Sequence, residues 1–214
     1  MTHVVTLIVS LAAVSHGAEL ALPNFEAAIT GLRAQILATR VEQVQARNAA
    51  AASDLDRLAS DTRGLQWTAQ RLRFDLSDIR RRAQRYQPSN DPFFRSDLNR
   101  VVWNLRDLAW AVQRIRMDAD RLAMNAQPDP NLVSAARRFK DSFTWSESEI
   151  GWVANEARWA EWDIRRAGFS MEAWDVSRYS GDAERDIRDA HRSADEILRK
   201  VQQPVPQPTP APQS

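Results

Sequence analysis

From Ala34 to Tyr86 the chain keeps a register that alternates steps of three and four: Ala34, Leu37, Val41, Val44, Asn48, Ala51, Leu55, Leu58, Thr62, Leu65, Ala69, Leu72, Leu76, Ile79, Ala83 and Tyr86. A mean step of 3.5 is the period at which an α-helix holds one stripe against a neighbouring helix. A strand, with period two, would scatter those residues over both faces. The same grammar continues after each break. Gln87 to Pro92 interrupts it, with Asp91 as the expected N-cap and Pro92 at the first helical position. A second seam then runs through Phe94, Leu98, Val101, Leu105, Leu108, Val112, Ile115, Ala119, Leu122 and Ala126. After Gln127 to Asn131, with its two prolines, a third takes Leu132, Ala136, Phe139, Phe143, Ser146, Ile150, Val153, Ala157, Ala160, Ile164 and Ala167, closed by Gly168 as the C-terminal cap. Tyr179, Ala183, Ile187, Ala190, Ala194, Ile197 and Val201 mark the buried side of a fourth helix, with a kink or restart expected at Ser180 and Gly181.

Short turns between long helices favour antiparallel succession, so the expected fold is all-α: an elongated antiparallel helical bundle with coiled-coil-like packing and four long helices. The first helix, if unbroken from Asn24 to Tyr86, would be ~95 Å long at 1.5 Å per residue and would overhang the others. Otherwise it breaks in two near Asn48 to Asp54, where Ser53 can start a new helix. The expected domains are a signal peptide over 1–17, an N-terminal helical arm over 19–50, a helical bundle over 51–201 and a tail over 202–214. The apolar run Val4 to Val14 is too short for a membrane span, which needs ~20 residues, but suits a secretory signal. Export to the periplasm or the medium is therefore the expected localisation. At the other end PVPQPTPAPQS alternates proline with small or polar residues, the pattern of an extended, disordered segment.

Within the second helix a further stripe lies two positions beyond the seam, ~200° round the helix. Trp103, Trp110, Met117 and Met124 follow one another at intervals of seven, which drift by only ~20° per repeat. Trp67 and Phe74 take equivalent positions on the first helix, and Trp145, Trp152 and Trp159 on the third, with Trp162 nearby. The three tryptophan-led segments also resemble one another as a weak internal repeat, which shared heptad spacing explains without duplication. Two readings of the stripe are open. Either the helices are buried on two sides, because the N-terminal helix folds back over the aromatics or the stripes pack together, or the strip is exposed and docks a protein, a lipid surface or an unfolded client.

Charge narrows the function classes. With 29 basic and 28 acidic residues there is no global field for nucleic acid. Locally, Arg57, Arg63, Arg71, Arg73, Arg80 to Arg82 and Arg85 make 57–86 basic, while Glu147, Glu149, Glu156, Glu161 and Asp163 make 145–163 acidic, as expected of complementary helices in one bundle. The absence of cysteine excludes disulfides, thiolate nucleophiles and cysteine zinc sites. His191 is the sole histidine after Gly17 and reads as a surface residue, and the isolated glycines build no phosphate loop. No metal site and no cofactor is expected. Glu149 and Glu156 beside Trp145, Trp152 and Trp159 are the one acidic and aromatic cluster that a carboxylate mechanism would use, against the plainer reading of acids rimming aromatics.

The expectation is a non-catalytic exported scaffold or binding protein of the cell envelope acting through Trp67, Phe74, Trp103, Trp110, Met117, Met124, Trp145, Trp152, Trp159 and Trp162. The alternative is a periplasmic holdase-like chaperone or apolar-ligand carrier. Expected partners are a protein or a second copy of the chain, through the unmated heptads of 30–55, with no nucleic acid and no transmembrane segment. Peripheral membrane contact stays open.

Overall fold

The computed structural model describes residues 22–85, 91 and 93–204. The expected signal peptide, most of the proline-rich tail and most of the first interhelical turn lie outside the described residues. Five helices follow in order: α1 (Leu22–Gln84), α2 (Phe94–Asn125), α3 (Val133–Asp141), α4 (Phe143–Arg166) and α5 (Ser170–Val201), with a 3-10 turn at Pro130–Leu132 and no strand among the described residues. α1 is continuous through Asn48 to Asp54, so of the two alternatives the unbroken helix holds. Four consecutive alanines from Ala49 favour helix and outweigh Ser53. α3 and α4 form the expected third helix, interrupted at Ser142, whose N–H is shared between the carbonyls of Arg138 and Phe139 at 3.1 and 3.2 Å.

Backbone contacts divide the chain into two units, 1–47 and 48–214. In the first, the described side chains from Ile29 onward are exposed or half-buried, and Leu37, Val41 and Val44 are among the exposed apolar residues. In the second, the seams form one core. Leu55, Leu58, Leu65, Ala69, Leu72, Leu76, Ile79 and Ala83 of α1 join Leu98, Leu105 and Val112 of α2, Phe139 of α3, Phe143, Ile150 and Ala157 of α4, and Ala183, Ile187 and Ala194 of α5. Alanine is frequent in that seam, which lets helix axes approach closely. The polar seam residues are satisfied. The Thr62 hydroxyl donates to the Leu58 carbonyl at 2.7 Å, and Ser146 Oγ donates to the Thr62 carbonyl at 2.7 Å.

Cross-helix bonds fix the order of the bundle. Arg57 meets Asp118 and Arg82 meets Asp97, so α1 and α2 are antiparallel. Ser146 meets Thr62, Glu149 meets Arg73 and Glu156 meets Arg80, with both numbers rising, so α1 and α4 are parallel. Arg116 with Asp186 and Lys200 with the Ala123 carbonyl make α2 and α5 parallel, while His191 with Glu147 and Arg158 with Glu184 make α4 and α5 antiparallel. Successive long helices alternate in direction as the sequence predicts. Round the ring, however, they run up, down, down, up, and α2 and α4 occupy opposite corners.

The ends are held by specific bonds. Gly168 takes φ 97°, and the Phe169 N–H reaches the Ile164 carbonyl at 3.1 Å, the glycine-terminated cap expected at the end of α4. The Asp129 carboxylate accepts from the Asn131 N–H at 2.9 Å, and the Asp129 N–H donates to the Val201 carbonyl at 3.1 Å. Two local expectations are corrected. α5 runs unbroken through Ser180 and Gly181, because the Ser180 hydroxyl bonds back to the Val176 carbonyl at 2.8 Å and leaves the ladder intact. Helix α2 begins at Phe94 with Phe93 before it, and Asp91 serves instead as an acceptor for Arg82, at 3.0 and 2.9 Å to its two oxygens. Burial on α5 also differs from the expected seam, since Tyr179 is half-buried and Val176 and Ser180 take the core positions.

Candidate functional site: exposed tryptophan ladders

Every tryptophan of the chain is exposed. Trp67, Phe74, Trp103, Trp110, Met117, Met124, Trp145, Trp152, Trp159 and Trp162 range from 52 % exposed at Trp152 to 78 % at Met124, and Trp174 of α5, which the spacing argument did not single out, is 52 % exposed. The reading in which these rings pack away as core is corrected. The reason is visible on α2, where Leu98, Val101, Leu105, Leu108, Val112 and Ile115 already fill the inward face and the ladder lies on the opposite side. Seven-residue spacing sets successive rungs ~10.5 Å apart along the axis. Because α2 and α4 stand at opposite corners, their ladders leave the bundle in opposite directions.

Guanidinium groups cover the faces of several rings. Arg106 lies between two rungs, its central carbon 3.6 Å from the Trp103 ring centroid and 4.8 Å from that of Trp110. Arg80 reaches the Trp159 ring at 5.2 Å, Arg166 that of Trp162 at 5.2 Å, and Arg178 that of Trp174 at 4.9 Å. Such contacts contribute ~0.5–1 kcal/mol at exposed sites, enough to restrict a ring's rotamers without hiding it. Arg106, Arg166 and Arg178 were missed by the spacing argument. Their signal was present as arginines three or four residues from a tryptophan, the helical neighbour distance.

Grooves beside the ladders are shallow. Trp103 borders a cavity of about 200 Å³ between α2 and α5, with Arg106, Met171, Glu172 and Tyr179. Trp152 borders one of about 420 Å³ between α4 and α5, with Glu147, Gly151, Asn155 and Glu184.

The acidic candidates are engaged in ion pairs, Glu156 with the same Arg80 that reaches the Trp159 ring. Glu149 is paired with Arg73 at 3.4 Å and Glu156 with Arg80 at 3.3 Å, while Asp163 forms an ion pair with Arg80 at 3.4 Å and accepts a hydrogen bond from Gln84 at 3.0 Å. The basic stretch of α1 thus faces the acidic stretch of α4, and the two glutamates are clamps between helices. Of the three arginines at 80–82, Arg80 and Arg82 belong to the bundle's ion pairs: Arg82 ties α1 to Asp91 and Asp97, which hold its guanidinium above the ordinary arginine range chiefly through the Asp97 hydrogen bond, whereas Arg81 is exposed and reaches only Asp78 of its own helix at 3.6 Å. His191 is more enclosed than a surface residue. Its ring stacks on Phe143 with centroids 5.2 Å apart, and Nδ1 lies 2.6 Å from a Glu147 oxygen.

No cluster of three or more histidine or carboxylate side chains is placed to hold a metal ion among the described residues. No helix there is long and apolar enough to cross a membrane. The chain matches no family model, no curated protein and no solved structure.

Proposed function

We propose that this chain is an exported, non-catalytic scaffold of the cell envelope that binds protein partners through its tryptophan ladders. The observation that carries the reading is the exposure of all eight tryptophans in a bundle whose core is complete without them. Tryptophan is large, has few rotatable bonds and dominates the energetics of the interfaces that contain it. Leaving it in water in regular ladders is unfavourable for solubility unless a surface covers it in use. Ladders at opposite corners suit a chain that holds two partners apart or together. The ion pairs of Glu149 and Glu156 support a structural role for the carboxylates that a glycosidase-like mechanism would otherwise use.

A holdase-like chaperone or apolar-ligand carrier is the second reading, favoured by the spread of exposed rings over α1, α2, α4 and α5. One experiment separates the two. A photo-crosslinking residue is introduced in place of Trp110 or Trp152 and irradiated in the native host. The scaffold reading predicts one discrete adduct from each position; a smear of many masses indicates a holdase, and no adduct from either position contradicts both.

A further inference from the structure

The ladder of α2 ends beside the place where the chain leaves α5. Lys200 Nζ donates to the Ala123 carbonyl at 2.7 Å and the Asp129 N–H to the Val201 carbonyl at 3.1 Å, which sets the end of α5 against the last turn of α2 and its outermost rung, Met124. The Gln203 N–H then closes a turn on the Lys200 carbonyl at 3.2 Å, and the segment that follows from Pro204 reads PVPQPTPAPQS. Alternating prolines favour a polyproline II strand, whose backbone makes no internal hydrogen bonds. Proline has no N–H, so such a strand offers chiefly carbonyl acceptors, and aromatic-lined grooves take up its rings.

The face between α2 and α5 supplies what that strand lacks. A cavity of about 320 Å³ beside Trp110 is bordered by Tyr179 and by Arg116, Arg178 and Arg185 against Asp182 and Asp186, an excess of donors. Neither the Tyr179 hydroxyl nor the Trp110 indole N–H has a hydrogen-bond acceptor among the described residues. The cavity beside Trp152 has the opposite balance, Arg188 against Glu147 and Glu184. Repeats agree as well. The rungs Met124, Met117 and Trp110 span ~21 Å in steps of ~10.5 Å. At three residues per turn and 3.1 Å per residue, a polyproline II strand repeats every ~9.3 Å, and 205 to 211 covers ~19 Å. In that conformation Val205-Pro206, Pro208-Thr209 and Ala211-Pro212 recur once per turn on two adjacent edges, while Gln207 falls on the third.

We propose that residues 205–212 dock as a polyproline II strand on the Met124, Met117 and Trp110 rungs of their own chain, running antiparallel to α2. Of the eight tryptophans the register reaches Trp110 alone. The proposal takes the ladder as a docking face but needs no second protein, so its failure leaves the crosslinking test of a partner untouched.

Peroxide oxidation of methionine, mapped by peptide mass on the purified chain, tests it. The full chain is compared with one ending at Gln203 and with a Pro206→Ala, Pro208→Ala, Pro212→Ala variant. Met171, 76 % exposed, is the internal control, since it lies ~45 Å along α5 from Val201, beyond the strand's reach. Met117 and Met124 are expected to oxidise at least three times faster in both altered chains, with Met171 unchanged. Rates at Met117 and Met124 that do not rise on truncation overturn the docking, as does a rise that Met171 shares. Protection that survives the proline substitutions overturns the polyproline strand. Protection in the full chain that fades on dilution places the tail on a second copy and overturns the intramolecular seat.

Discussion

Helix α2 carries two apolar stripes with opposite fates. On its inward face Leu98, Val101, Leu105, Leu108, Val112 and Ile115 are almost wholly removed from water, and on its outward face Trp103, Trp110, Met117 and Met124 each keep more than half of their surface. The side chains with the most area to bury are the ones outside. Burial in this molecule therefore follows position in the heptad rather than side-chain size, and the core is built from leucine, isoleucine, valine, alanine and three large phenylalanines, Phe94, Phe139 and Phe143. A fold that needed its tryptophans for stability would place them among those residues. Here they are left over once stability is provided, which is the ground for assigning them to contact with another molecule.

Substitutions on the two stripes should separate sharply. Leu105→Ala on the inner seam, where the side chain is fully buried, is expected to lower stability by ~2–5 kcal/mol, because the lost transfer energy adds to a cavity the packed neighbours cannot close. Urea unfolding checks it, and a loss under about 1 kcal/mol would break the distinction between the stripes. Between the extremes lies Arg80→Ala, which removes contacts to Glu156, Asp163 and Trp159 from a side chain one-third exposed and is expected to cost ~1 kcal/mol. Trp110→Ala on the outer stripe is expected to change stability by no more than ~0.5 kcal/mol, since the lost stacking with Arg106 is offset by the better helix propensity of alanine.

The smallest effect is one of pH. Burial raises the Asp186 carboxyl above its ordinary value of 3.8 despite the nearby Arg116. The folded state therefore holds that proton more tightly than the unfolded chain, and the contribution of Asp186 to stability falls as pH rises from 3.8 through the raised value. Asp186→Asn, which keeps an acceptor for Arg116, should abolish that fall. Its stability relative to the wild type should increase with pH across this window in urea titrations, and a relative stability that decreases with pH instead would contradict the sign.

Much of this architecture was legible in the sequence. Steps of three and four located the helices and most of the core, and Gly168 and the two prolines of 127–131 marked their ends. Arrangement round the ring was not legible, because a heptad says which face is inward and not which helix lies beside it. Order came from long-range pairs such as Arg80 with Glu156 and Arg116 with Asp186. The same limit applies along α1, where one unbroken register is core from Leu55 onward and exposed at Leu37, Val41 and Val44. Periodicity specifies a face and leaves its occupant to be supplied. For the candidate site the spacing found ten ladder residues but not their exposure, since two-sided burial and a free surface write the same pattern. Glu149 and Glu156 looked like neighbours of the aromatics in sequence, but both are paired with arginines of α1, Glu156 with the same Arg80 that reaches the Trp159 ring.

Acrylamide quenching of tryptophan fluorescence tests the central claim most directly. All eight tryptophans report at once, and none of them is part of the core. The account predicts emission typical of indole in water and quenching close to that of a free tryptophan derivative, with little further increase on unfolding in urea. Blue-shifted emission that resists acrylamide until the protein unfolds would mean that the ladders are buried, and would remove the basis for a binding surface.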